Sequence, residues 1–174
     1  LNVNLLAVAI KLINKFPEPS EHDMQCALFE ILKIYEDRIP EWKAIYAIPN
    51  GAKLPYSKSK TGKRFSKEAA WLLKEGMKPG TPDICCPFGI GNPLYIEMKK
   101  PGKKPSPEQN KRITLLKAVG NNVQICTSTG EAMIEIIYHT IRLYQAYAGM
   151  IHSNPSHVYH KILKLLMQIQ NHKY

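Results

Sequence analysis

Cysteine spacing of the metal-binding or redox kind is missing: Cys26, Cys85, Cys86 and Cys126 form no CxxC pair. That argues against a zinc site. Three of the four fall in apolar, strand-like runs, so buried thiols in a reducing compartment are expected, and the cytoplasm is the expected location. No apolar run is long enough to span a bilayer, which leaves a membrane out of the expected partners. Leu5–Ile10 is apolar but has no basic flank before it and no clear small-residue cleavage site, so no signal peptide is expected. Repeats and long low-complexity tracts are absent. Acid is in short supply: 14 Asp and Glu stand against 24 Lys and Arg, a formal net charge of +10 with pI ≈ 9.4. A chain this basic suits a polyanionic partner, nucleic acid above all. At 174 residues and 44% apolar content there is enough for one domain with a real core, plus an appendage.

What is present is organised around Gly80–Lys99, GTPDICCPFGIGNPLYIEMK. Pro82 and Asp83 open one short apolar run, and Glu97, Met98 and Lys99 close a second. FGIGNP, Phe88–Pro93, lies between them and is rich in turn formers. This pattern predicts a β-hairpin with a loop longer than two residues. Side chains alternate faces along a strand, so Leu94, Ile96 and Met98 can enter a core while Glu97 and Lys99 share the opposite face. Pairing of the two strands brings Asp83 close to both charges.

Two carboxylates at one point repel each other unless a cation lies between them. A hard divalent ion such as Mg²⁺ takes oxygen ligands, commonly one or two carboxylates plus substrate phosphates. It can polarise a phosphoryl oxygen and lower the pKa of water, and a neighbouring lysine can offset charge developing on the phosphate. Asp83, Glu97 and Lys99 therefore suit phosphodiester hydrolysis. Taken alone, Glu-x-Lys at an exposed strand end is very common and needs no function; the Pro-Asp at the mouth of the preceding strand brings the two accounts level.

Along the chain, residues from about Leu5 to Phe16 predict a short amphipathic helix, broken by Pro17–Ser20. Ser20 is a good N-cap with Asp23 three places on, and a helix follows to about Tyr35. Its stripe is Met24, Ala27, Leu28, Ile31 and Tyr35. Glu21 and Gln25 share one face. An acid in the first turn suits the helix dipole and needs nothing more; the alternative is a third carboxylate for the metal. Lys43–Ile48, KAIYAI, is a strand candidate. From Lys53 to Lys78 the chain is dense in cations, including Lys53, Lys58, Lys60, Lys63 and Arg64, opposed only by Glu68 and Glu75. Ser57–Lys63 reads as a loop and Lys67–Glu75 as a helix carrying Trp71, Leu72 and Leu73. Phosphate contacts by this segment are favoured over a merely solvated loop.

A second basic turn holds Lys100, Lys103 and Lys104. Ser106 can cap a helix from Pro107 to about Val119. Gln109 lies in its first turn near the expected sheet edge, either as a surface residue or to hold a water or phosphate. Val123–Cys126 predicts a last strand. A helix over about Gly130–Ala148 carries Ile134, Ile137, Ile141 and Tyr144, Gly149–Pro155 ends it, and a final amphipathic helix spans about His157–Asn171. His152, His157, His160 and His172 of this tail are expected to face solvent.

Five phrases, SEHDMQ (Ser20–Gln25), AIPNGAK (Ala47–Lys53), LKEGMKPGTPD (Leu73–Asp83), YIEMKK (Tyr95–Lys100) and SPEQ (Ser106–Gln109), occur in an order that resembles the VRR-NUC family of the PD-(D/E)xK superfamily. The resemblance spans roughly residues 20–147. It implies an α/β fold: a restriction-endonuclease-like mixed β-sheet core flanked by helices, here with an extra helical C-terminal tail. The expected layout is an N-terminal helical extension (1–19), a nuclease domain (20–148) and a C-terminal amphipathic helix (149–174). By the same resemblance Glu21, Asp83 and Glu97 would bind metal, Lys99 would serve catalysis, and Gln109 would be the family's glutamine on the following helix. Gln25 matches a glutamine of the first helix. Met24 stands where many relatives have an acid and Ala52 where a second glycine is usual; neither removes an expected ligand.

The function so implied is a Mg²⁺- or Mn²⁺-dependent DNA endonuclease. Its substrate would be branched or flapped DNA recognised by shape, since small family members resemble Holliday-junction resolvases, which act as homodimers. Viral or bacterial origin would fit a compact nuclease of this kind. The competing reading is a basic nucleic-acid-binding module that does not cut.

Overall fold

The computed structural model describes residues 20–49, 57–58, 64–89 and 91–150. The helices expected over residues 5–16 and 157–171, the tail histidines, and Lys53, Lys60 and Lys63 lie outside them.

The first described helix, α1 (Glu21–Tyr35), begins where expected because Ser20 Oγ accepts the Asp23 N–H at 3.0 Å. Its buried stripe is Met24, Leu28, Ile31, Leu32 and Tyr35; Ala27 is only partly covered, and Leu32 takes the place expected of it. Next comes a 3₁₀ turn, Pro40–Ala44, and a two-residue strand, β1 (Tyr46–Ala47). The strand expected over residues 43–48 is thus cut short. Pro40 fits the start of a tight turn, and Trp42 is buried with its indole N–H donating to Thr140 Oγ1 at 3.0 Å, so Lys43 and Ala44 wind with it. A small hairpin, β2 (Ser57–Lys58) with β3 (Arg64–Phe65), replaces part of the expected loop. Strands of two residues are too short to show alternation in a sequence.

Helix α2 (Lys67–Lys74) follows, then β4 (Ile84–Cys86), β5 (Leu94–Met98), α3 (Pro107–Ala118), β6 (Asn122–Cys126) and α4 (Thr129–Met150). Helix α4 runs on through Gly149, past the expected end at residue 148. The main sheet has the order β1-β4-β5-β6. β4 pairs antiparallel with β1 and β5, whereas β5 and β6 are parallel. Parallel neighbours need a crossover, and α3 supplies it. The sheet is therefore mixed and flanked by helices, as the sequence implied.

The two faces of the sheet are covered unequally. Ile84, Cys86, Leu94, Ile96 and Met98 point into a large core with α1, α4 and the 3₁₀ turn. Thr129 Oγ1 ties α4 to α1 by donating to Met24 O at 2.9 Å. On the other face Tyr95 and Val123 pack on Ile113 and Leu116 of α3, a much smaller cluster. Cys85, Cys86 and Cys126 are buried thiols, while Cys26 is exposed. Among the described residues, no helix is long and apolar enough to cross a membrane.

Candidate functional site

At one end of this sheet, the start of β4 meets the end of β5. The backbone carbonyl of Asp83 accepts Ile48 N–H at 2.7 Å, and its carboxylate Oδ2 accepts Met98 N–H at 2.8 Å. Asp83 is thereby held between two neighbouring strands. Glu97 projects from β5 on the α3 face and is fully buried. Lys99, just beyond the strand, is tied to the sheet by its own N–H donating to Cys126 O at 2.9 Å. Its Nζ donates to Glu97 Oε1 at 2.6 Å and to Met98 O at 2.9 Å. Glu21, in the first turn of α1, lies 3.7 Å from Lys99 Nζ through Oε2 and accepts Lys100 N–H at 3.1 Å through Oε1.

The first turn of α3 closes the cluster. Ser106 and Gln109 form a capping box: Ser106 Oγ accepts Gln109 N–H at 3.2 Å, and Gln109 Oε1 accepts Ser106 N–H at 2.8 Å. The Gln109 amide nitrogen then donates to Glu97 Oε1. Gly80 holds this turn against the segment that leads into Asp83. Its φ is +76°, and a Cβ there would lie 2.6 Å from the Glu108 carbonyl oxygen. A larger residue would clash with backbone that cannot swing aside.

Both hydrogen bonds to Glu97 fall on Oε1, leaving Oε2 buried without a partner. Burial is the main reason its pKa is pushed up to about 7; Lys99 works against the rise, while the Asp83 and Glu21 charges add to it. Burial also raises Asp83, opposed by the Met98 N–H and the Lys99 charge. For Lys99, burial disfavours the ammonium, but its hydrogen bond to Glu97 and the charges of Glu97, Glu21 and Asp83 together leave its pKa raised. The centre is thus a crowded acidic pair with one buried ammonium, a setting in which an added cation would relieve strain.

Asp83, Glu97, Lys99, Gln109 and Glu21 are all brought together as expected from sequence. Gln25 sits one turn on from Glu21, half-buried. Lys100, Lys103 and Lys104 form an exposed turn beside the cluster, closed by Lys103 N–H to Lys100 O at 2.9 Å. Lys58 and Arg64 are directly opposed across the β2–β3 ladder. Among the described residues, no three His, Cys, Asp or Glu side chains are grouped closely enough to hold a metal; Glu21 is engaged with Lys99 and Lys100 instead. The sequence reading missed three things: the Lys100 N–H that holds Glu21, the close approach of Gly80, and the double task of Gln109. The last had a signal, because Ser106-x-x-Gln109 is a capping-box pattern in its own right.

A family model for the VRR-NUC domain matches residues 31–130. The chain belongs to the VRR-NUC family. Asp83, Glu97, Lys99 and Gln109 fall within the matched span, and Glu21 and Gln25 just before it, so the match is shorter than the 20–147 expected. A VRR-NUC domain carries nuclease-type function, with DNA as the substrate that implies. A solved structure titled "VRR_NUC domain protein" is similar in fold, with TM-score 0.53 and 22% identity over 73% of this chain and 92% of that one. No curated protein matches the chain.

Proposed function

We propose that this VRR-NUC protein is a Mg²⁺- or Mn²⁺-dependent endodeoxyribonuclease, and that Asp83, Glu97, Lys99 and Gln109 are its catalytic groups. The observation that carries the reading is Glu97: a fully buried carboxylate whose Oε2 has no partner, beside Asp83 and an ammonium. A buried polar atom left unmet is costly, and a hard cation taking Glu97 and Asp83 as ligands would meet it. Two carboxylates plus substrate phosphates are an ordinary ligand set for Mg²⁺. Glu21 would be the third ligand of the proposal, exchanging its ion pair with Lys99 for the metal. The ion, when bound, would polarise a phosphoryl oxygen and lower the pKa of a water.

The chain's own groups supply the rest. Gln109 fixes Glu97 by its Oε1, so that Oε2 would be free to hold the ion. Lys99, held by Met98 O, offsets negative charge gathering on the phosphate as water attacks phosphorus. Lys100, Lys103, Lys104, Lys53, Lys58, Lys60, Lys63 and Arg64 hold the DNA backbone, which positions the substrate without reading its sequence. Branched or flapped DNA fits such readout by shape. Cutting a junction takes paired incisions, so a homodimer belongs to the proposal; sedimentation showing only monomer would remove junctions and leave flaps. A cytoplasmic setting fits the buried thiols.

The test is cleavage of a labelled four-way junction, a flap and a plain duplex in Mg²⁺, Mn²⁺ or EDTA. Metal-dependent cutting that disappears in Asp83→Ala and Lys99→Ala is the expected result. Tight, salt-sensitive binding with no cutting in any metal would replace the enzyme with a binding module.

A further inference from the structure

Arg112 lies on α3 three residues after Gln109, so the two side chains leave one side of the helix about 4.5 Å apart along its axis. Gln109 meets Glu97; Arg112 meets the row of the sheet one step back. Across that row the strand register sets Tyr46, Cys85, Tyr95 and Val123 side by side on one face. Glu97 follows Tyr95 on the same face, about 6.6–6.8 Å along β5. Burial and the Cys85 thiol push the Tyr95 hydroxyl up and the Arg112 charge opposes them, which puts the guanidinium within electrostatic reach of that hydroxyl. The charges acting on Glu97 are instead those of Lys99, Asp83 and Glu21. The row is open at one end: α3 packs over Tyr95 and Val123, while Tyr46 on β1 is 50% exposed.

Arg112 is half-buried, and its Nε has no hydrogen-bond partner among the described residues. Glu108, four residues before it, is the acid a helix would normally offer, but it accepts from Ser106 Oγ at 3.2 Å instead. Arg38, by contrast, lies over the Tyr35 ring, 5.9 Å from its centroid. Taking a guanidinium N–H out of water without an acceptor is costly. Glu97 Oε2 and Arg112 Nε are thus two unmet groups of opposite sign at one seam between β5 and α3, and they do not satisfy each other. A cation answers the first and an anion the second. A phosphodiester suits the planar fork of an arginine, which can give two parallel N–H bonds to its oxygens.

We propose that Arg112 binds the DNA phosphate next to the one that is cut, with the Tyr95 hydroxyl beside it, and so sets the backbone in register over Asp83 and Glu97. The scissile phosphate belongs with the acids and Lys99. One row back along β5, Arg112 is placed for its neighbour on the same strand. The inference rests on the nuclease reading above and names a substrate contact within it.

The test measures DNA binding in EDTA by anisotropy, with one phosphate at a time replaced by an uncharged methylphosphonate. Wild-type cutting in Mg²⁺ marks the scissile position. Arg112→Met keeps the bulk and drops the charge. It should bind roughly 10- to 100-fold more weakly and lower the slope of log affinity against log salt by about 1. Its urea midpoint should stay near the wild-type value. A methylphosphonate beside the cut should cost the wild type a similar factor and cost Arg112→Met little more, because each change removes the same contact. Arg112→Lys should keep the slope while losing part of the affinity. In the wild type the Nε–H resonance of Arg112, one of four arginines in the chain, should shift when DNA is added. Independent losses at every phosphate, or coupling centred on the scissile phosphate, overturn the inference and leave the nuclease reading standing. An unmoved Nε–H resonance overturns it as well, with no need for Arg112→Met to fold. Binding without cutting in any metal fails the nuclease reading alone, since the scan still judges the Arg112 contact. Failure to bind any DNA sinks both.

Discussion

The two faces of β5 differ in kind. One presents Leu94, Ile96 and Met98, all fully or almost fully buried in a core built from two long helices. The other presents Tyr95 and Glu97, with Lys99 beyond, under a single helix. The first face is stable because nothing on it needs a partner beyond packing. The second buries an acid and an ammonium, which stabilise a fold little even when paired and cost a great deal when one is removed. Stability and chemistry are thus separated by one strand's thickness.

That separation is open to attack from both sides. The largest effect belongs to Asp83→Asn, in which the amide oxygen can still accept the Met98 N–H while the charge is gone. Cleavage is expected to fall by at least about 10²-fold, with the urea midpoint little changed; a large loss of stability would mean the polar face also carries the fold. On the opposite face Ile96→Ala should cost about 2–5 kcal/mol in urea unfolding, yet retain activity per folded molecule where the protein stays folded. Gln109→Ala tests the seam between the faces. It removes half of a capping box, worth roughly 0.5–2 kcal/mol, and the support of Glu97, so cleavage should drop about 10- to 100-fold. Loss of stability alone would reduce Gln109 to a cap.

A subtler effect is expected with pH. Glu97 titrates higher in the folded state than in the unfolded chain, so the folded protein binds more protons between about pH 4.5 and about 7. Its contribution to metal-free stability therefore falls as pH rises through that window and levels off above it. Glu97→Gln should flatten this slope. Mg²⁺ should raise the melting temperature more at pH 8 than at pH 5, because an ion must displace the proton at the lower pH. Equal shifts at both values would remove Glu97 from the ligands. The smallest effect is in salt: Lys103→Ala and Lys104→Ala should each lower the slope of log affinity against log salt by about 1.

Much of this was legible in the residues themselves. The stripe of α1, the alternation of Leu94, Ile96 and Met98, and the approach of Asp83 to Glu97 all follow from local periodicity and one hairpin. Tertiary context decided the rest. Residues 43 and 44 look like strand, but Trp42 reaches Thr140 on a helix almost a hundred positions later and draws them into a turn. The helix that carries Trp71, Leu72 and Leu73 forms as its sequence suggests, but nothing in the spacing shows that it buries no side chain. The isolation of Glu97 Oε2 depends on what covers it from several elements, which spacing along a chain does not encode. The tight seat of Gly80 is hidden for the same reason, since its neighbours Glu108 and Gln109 are far ahead in sequence.

The amide of Gln109 joins a helix cap to the buried acid Glu97, and this sets an order of events. β4 and β5 leave the ribosome before α3, so a nascent chain has Asp83, Glu97 and Lys99 before Gln109 is there to hold Glu97 from the other side. Only when the crossover winds and Ser106 closes its cap does that acid gain its second hydrogen bond. On the proposed mechanism, winding the crossover and arming the blade are then a single step, and a half-made copy of the protein is a sheathed one.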